Sequence, residues 1–272
     1  MLQNEQNPFA KSQNPYGIIK NVVAVMSGKG GVGKSSITAL LASALNKKGF
    51  KVGVLDADIT GPSIPKVFGV KEKAEVLGEA ILPPETALGI KIMSVNLILE
   101  NEEDPVIWRG PLIAGTVKQF FEQVDWGDLD FLVVDLPPGT GDVPLTVMQS
   151  LPLNGMVVVS SPQELVALIV KKAINMAAKM NIPILGLIEN LSYFECPDCK
   201  RKTELFGKSR AEVVASETGI SLLGRLPILP ELAQMSDEGK IEAVESICPG
   251  FFDEVVNELL TKTELKKIGS LK

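Results

Sequence analysis

The sequence predicts a doubly wound α/β fold, a mostly parallel sheet with helices packed on both faces. Three observations carry that expectation. Short apolar runs recur along the chain, continuous rather than alternating, as strands are when helices cover both sides. Segments with helical apolar spacing stand between them. A glycine cluster joins the first apolar run to the first helical segment, the join at which such folds hold phosphate.

The elements follow in order. Residues 1–17 are rich in Asn, Gln, Pro and Ser and read as a flexible arm. Val22–Met26 is a buried strand, and Ser35–Lys48 places Ile37, Leu40, Leu41, Ala44 and Leu45 on one helical face. Lys51–Leu55 is the second strand. Val70–Leu99 is broken by Gly, Pro and Glu, and Ile90–Val95 is its one good strand. Trp108-Arg109-Gly110-Pro111 precedes a helix over Leu112–Val124; its Trp and Arg suit an interface if exposed, a helix start if buried. Strands at Phe131–Val134, Met156–Val159 and Ile184–Ile188 alternate with helices at Gln163–Met180 and Ser209–Thr218. Phe251–Lys267 reads as a last amphipathic helix. No repeat or linker divides residues 18–272, which are expected to form a single domain with a cysteine-bearing loop near 191–203.

Composition removes several classes of function. Of 272 residues, 45% are apolar and 22% charged, enough apolar surface to pack a core. The net charge of −6 argues against non-specific nucleic-acid binding. The chain has no histidine, which excludes imidazole catalysis and His-ligated zinc. No apolar run approaches a membrane span. The first twenty residues lack the basic and apolar regions of a secretory signal. A reducing, cytoplasmic setting is therefore expected, with neither membrane nor nucleic acid as partner.

Gly28-Lys29-Gly30-Gly31-Val32-Gly33-Lys34-Ser35 matches G-x-x-x-x-G-K-[ST] in full, after a strand and before a helix. Its glycines let backbone N–H groups turn inward around phosphate oxygens. The helix N-terminus, with Ser36 in its first turn, adds partial positive charge. Lys34 is placed to bridge β- and γ-phosphates, and the Ser35 hydroxyl to meet Mg²⁺. The fold is thus that of a P-loop NTPase. Two further strands end in acids: Asp56 and Asp58 after Leu55, and Asp135 after Val134. Strand carboxyl ends line the ligand crevice in such sheets, so Asp135 is placed to hold Mg²⁺ and Asp56 to support the metal shell. Gly139-Thr140-Gly141-Asp142 follows as a loop able to sense a γ-phosphate.

Cys196-Pro197-Asp198-Cys199 forms a C-x-x-C pair. That spacing serves a zinc knuckle, an iron–sulfur cluster or a redox dithiol. The third cysteine, Cys248, lies in a helical stretch with Ile241, Val244 and Ile247 and reads as a plain buried thiol. A four-thiolate centre is most simply completed by a symmetric dimer, each chain giving Cys196 and Cys199.

Lys29 gives the loop a second lysine, and the whole resembles the deviant Walker A motif of the MinD, ParA and nitrogenase iron-protein class. That resemblance implies that Lys29 reaches the partner's nucleotide across a homodimer. It also implies that Asp58 orients the attacking water and that Asn190 contacts the base. Together with Leu55-Asp-Ala-Asp-Ile-Thr-Gly-Pro-Ser63, Trp108–Pro111, Asp135–Asp142 and Asn190–Cys199, the chain resembles the Mrp/ApbC family of iron–sulfur cluster carrier ATPases. The family implies a homodimer, ATP with Mg²⁺, slow hydrolysis, and a [4Fe–4S] cluster held between subunits and passed to apoproteins. Asp198 stands where that family often has His. A MinD/ParA-like positioning switch also accounts for the loop and Lys29, though not for the cysteines. A zinc-stabilised P-loop metabolite enzyme accounts for the cysteines with zinc instead of iron.

Overall fold

The computed structural model describes residues 13–99 and 110–263. The chain runs β1 (Ile19–Ser27), α1 (Lys34–Lys47), β2 (Val52–Asp56), α2 (Ile64–Phe68), β3 (Glu75–Leu77), β4 (Ala80–Leu82), β5 (Lys91–Met93) and α3 (Gly110–Gln123). It continues through β6 (Leu129–Asp135), α4 (Asp142–Ser150), β7 (Gly155–Ser160), α5 (Glu164–Lys179), β8 (Ile184–Glu195), β9 (Lys202–Thr203) and α6 (Ala211–Thr218). It closes with β10 (Leu222–Pro227), α7 (Pro230–Glu238), α8 (Val244–Ile247) and α9 (Asp253–Lys262).

The main sheet is ordered β10-β8-β7-β1-β6-β2-β5, parallel at every step, with β9 antiparallel on β8. Along the central strands, alternate residues enter two different cores. Val23, Val25, Phe131, Val133, Val157 and Val159 pack with Ile37, Leu41 and Leu45 of α1. Val22, Ala24, Met26, Leu132, Val134 and Val158 pack against α3 and α5 on the other face. Both faces being covered, the strands are apolar throughout, which is why they read as unbroken runs.

The chain leaves β1 toward β2 on one side and leaves its neighbour β7 toward β8 on the other, so the carboxyl ends of β1 and β7 open onto the crevice where such sheets bind ligands. The side of that crevice is closed by α2 and α7, whose C-caps meet. Gly69 (φ +71°) and Gly239 (φ +69°) end these helices, and a Cβ on Gly69 would lie 2.5 Å from the Gly239 carbonyl oxygen. A Cβ on Gly239 would lie 2.4 Å from the Gly69 Cα.

Several expectations change. β8 runs to Glu195, seven residues past Ile188 (195 − 188), because its polar residues are satisfied internally. Glu189 is buried and accepts from Ser192 Oγ at 2.6 Å, and Arg225 Nε lies 3.4 Å from it. β10 lacks an unbroken apolar run and has no counterpart in the expected elements. The region from 70 to 99 holds a small antiparallel hairpin, β3–β4, besides β5. The end of the expected arm belongs to the folded body: Asn14 Nδ2 donates to the carbonyls of Phe121 and Val124, at 2.8 Å each. Cys248 is only half-buried, at the end of the four-residue α8. Trp108 and Arg109 lie outside the described residues, as does the part of the expected last helix that follows residue 263. Among the described residues, no helix is long and apolar enough to cross a membrane.

Candidate nucleotide site and cysteine hairpin

The loop 28–35 leaves β1 and turns into α1 at Gly33, whose φ of +81° an L side chain resists. Gly30, Gly31, Gly33, Lys34, Ser35 and Ser36 line an open cavity of about 370 Å³. Asp58 lines it too, with Ser63 and Lys66 of the α2 region and Ser236 and Asp237 of α7. Gly28 and Val32 are buried beneath the loop.

Asp135 anchors this end of α1 from below. It is fully buried, and its Oδ2 lies 2.6 Å from Lys34 Nζ and accepts from Ser35 Oγ at 2.7 Å. Its Oδ1 accepts from Thr38 Oγ1 at 2.6 Å. Lys34 Nζ is also 3.6 Å from Asp58 Oδ2. Lys34, Ser35 and Thr38 share one face of α1, spaced as helix neighbours, so a single carboxylate collects all three. Thr38 is fully buried and was not expected in the site; its position four residues after Lys34 is the signal that marks it.

Asp56 is the register partner of Asp135 on the adjacent strand. Burial, then the Asp135 charge, pushes its carboxyl up to about 7. Both of its oxygens accept hydrogen bonds within the chain. Oδ2 accepts from the Ser63 and Ile64 N–H groups at 3.0 and 3.1 Å and from Ser94 Oγ at 3.2 Å. Oδ1 accepts from the Asp58 N–H at 3.2 Å. Asp56 is fully buried and spent on fixing the turn that presents Asp58. Burial raises the Asp58 carboxyl as well, against the opposing pull of Lys34.

The remaining donors around Lys34 are oxygens: Ser35 Oγ, Asp135 and Asp58. Two carboxylates, Asp58 and Asp135, share one lysine, which leaves a net negative charge and a hard donor set, the chemistry that suits Mg²⁺.

Gly28, Val32, Asp56 and Asp135 lie behind the cavity lining, and Lys29 and Asn190 stand apart from it as well. Lys29 is not among its lining residues; its Nζ donates to Gln163 Oε1 just before α5. Asn190 was expected at a base, but it is 5% exposed and donates from Nδ2 to the Val32 carbonyl at 2.9 Å. It presses on Gly33, where a Cβ would lie 2.3 Å from that same Nδ2. Asn190 therefore braces the phosphate loop from underneath.

Six residues further along β8 (196 − 190) the cysteine hairpin begins. Phe194 and Glu195 pair with Thr203 and Lys202, so Cys196–Arg201 is a tight reversal. The Cys196 N–H donates to the Arg201 carbonyl at 3.1 Å, and the Lys200 N–H to the Cys196 carbonyl at 2.9 Å. The backbone N–H groups of Cys199, then Asp198, point at the Cys196 sulfur and draw its thiol below the ordinary range. Cys199 is exposed. The thiol of Cys248 is pushed up by burial. Among the described residues, no three Cys, His, Asp or Glu side chains gather as a metal site, so the hairpin offers two soft ligands and no more.

A family profile described as the NUBPL iron-transfer P-loop NTPase, of the ParA group, matches residues 18–260. An iron-sulfur cluster carrier protein of Clostridium perfringens is 50% identical over 241 residues, covering 86% of this chain and 84% of that one. A nucleotide-binding protein of Archaeoglobus fulgidus, solved in complex with ADP, is 48% identical with a TM-score of 0.77, covering 86% of this chain and 91% of that one. The septum site-determining protein MinD of Pyrococcus horikoshii, solved with Mg-ADP, shares the fold at 22% identity and a TM-score of 0.66, covering 93% and 99%.

Proposed function

The chain belongs to the NUBPL family of iron-transfer P-loop NTPases, and from that premise we propose that it is an ATP-hydrolysing carrier. Its cargo is a [4Fe–4S] cluster held between two copies of the chain and passed on to apoproteins. One observation carries this reading. A phosphate loop packed on its own acid–lysine cluster and a two-cysteine hairpin are attached to one strand, β8, at Asn190 and at its last residue, Glu195.

Each residue then has a task. Ser35 Oγ and Asp135 hold Mg²⁺, and Lys34 exchanges its ion pair with Asp135 for the β- and γ-phosphates. Bound there, Mg²⁺ neutralises charge on the phosphate oxygens. Asp58, presented by the turn that Asp56 ties down, orients the water that attacks the γ-phosphate. Lys29 serves the nucleotide of the other subunit, as its exclusion from its own cavity suggests. Cys196 and Cys199 supply half of the four thiolates that the cluster needs, and the same pair of a second copy supplies the rest.

The test is anaerobic reconstitution, with iron and sulfide per chain, size-exclusion mass and ATP turnover read on one preparation. The reading expects one four-iron cluster per dimer and measurable ATP hydrolysis. Tightly held zinc without sulfide, or a full cluster on a monomer, removes the shared-cluster carrier.

A further inference from the structure

Beyond the second cysteine the chain stays on the surface: every residue from Pro197 to Lys208 is exposed. The stretch Lys200–Arg210 holds five basic residues and one acidic residue, in a chain whose net charge is −6. The acidic one, Glu204, is 3.1 Å from Arg225 Nη2. Amid these cations Leu205 is 57% exposed and Phe206 46%. Interfaces bury apolar anchors of this kind, and a rim of one charge selects a partner of the other.

Resting on the carrier reading, we infer that Lys200–Arg210 is the docking surface for acceptor apoproteins that present an acidic rim around an apolar socket. Chemistry requires such a surface here. In each exchange an acceptor thiol gives up its proton and its thiolate binds an iron. A thiolate of Cys196 or Cys199 leaves that iron and takes up a proton. One Fe–S bond forms, one breaks, and no electron moves. The acceptor must therefore sit against the cysteine hairpin, and this segment is the exposed surface continuous with it. The segment is held in place: β9 fixes its start on β8, and Arg225 ties Glu204 to the end of the sheet. The excess of cations over the one paired acid makes an acidic protein the occupant that charge favours.

The test compares wild type, Phe206→Ser and Lys208→Glu after anaerobic reconstitution. Iron and sulfide per chain and size-exclusion mass are read first. The rate of cluster transfer to an acidic four-iron apoferredoxin is then read at low and high salt. Loading and mass are expected to stay at wild-type values in both variants. Lys208→Glu should slow transfer about tenfold at low salt, with the deficit shrinking as salt is added. Phe206→Ser should slow it by several-fold (roughly 3–10) at both salts, since an apolar contact is not screened. Unchanged transfer in both variants overturns the docking surface. A fall in mass in both overturns it too, by giving the loop to a second copy of the chain. A wild-type protein that takes up no cluster overturns the carrier reading itself, an outcome told apart because loading is read before transfer.

Discussion

Around the phosphate loop, Lys34 is 7% exposed and both oxygens of Asp135 already accept hydrogen bonds within the chain. At the tip of β8, Cys199 faces water and the hairpin offers only two ligands. The first region holds its groups in place within one chain. The second prepares a sulfur with backbone N–H groups and presents two thiols near the surface. A buried, internally paired site is suited to turn over without changing its fold. An exposed one with two ligands is suited to take up a cargo and release it. The two differ in what a single substitution removes, and that difference can be measured.

The largest effect is expected at the hairpin. Cys196→Ala or Cys199→Ala should abolish bound iron and sulfide while ATP affinity stays within about twofold of wild type, since neither thiol touches the cavity. Cys248→Ala should keep the full cluster. Iron and sulfide counts beside nucleotide titration check this, and a cluster that survives either hairpin variant breaks the contrast.

Next comes Lys34→Ala. Hydrolysis should fall by at least ~100-fold with the loss of its phosphate contacts. The apo protein should also lose about 3 kcal/mol, because Asp135 is left buried with its cation removed. Turnover assays and thermal denaturation with and without Mg·ATP read the two effects; equal turnover would take the loop out of the mechanism.

A smaller signal tests what the nucleotide site borrows from its neighbour. Lys29→Ala and Asp58→Asn should each bind ATP and hydrolyse it poorly. Mixed together, they should recover about a quarter of wild-type turnover, half the dimers being mixed and one site in two intact. No recovery in demonstrated heterodimers assigns Lys29 to its own chain.

The smallest effect concerns the strand common to both regions. Asn190→Ala removes the bond to the Val32 carbonyl and should cost about 1 kcal/mol of stability, with a few-fold (roughly 2–5) rise in KM for ATP. A variant of unchanged stability that no longer prefers ATP to GTP would make Asn190 a reader of the base instead of a brace.

The sequence was legible where periodicity and motif agree. β1, the phosphate loop and α1 were all expected, because apolar runs and the G-x-x-x-x-G-K-S string depend on near neighbours only. Asp135 was placed at the site for the same reason, as an acid ending a buried run. What escaped depends on distant contacts. The far half of β8 looks polar until Arg225, thirty-six residues past Glu189 (225 − 189), is seen beside it. That Asp56 ties down its own turn shows only when the Ser63 and Ile64 N–H groups fold back onto it. Ser236 and Asp237 reach the cavity only through α7 packing on α2, which no local pattern announces.

The contact between Gly69 and Gly239 has a consequence for where α2 and α7 meet. Each position excludes a side chain twice over, once through its left-handed backbone and once through the main chain opposite. Neither can drift by itself, since a Cβ on one must displace the backbone of the other. The point where α2 and α7 touch is therefore set by two glycines that lie far apart in the chain, and a side chain at either one must push the two helices apart.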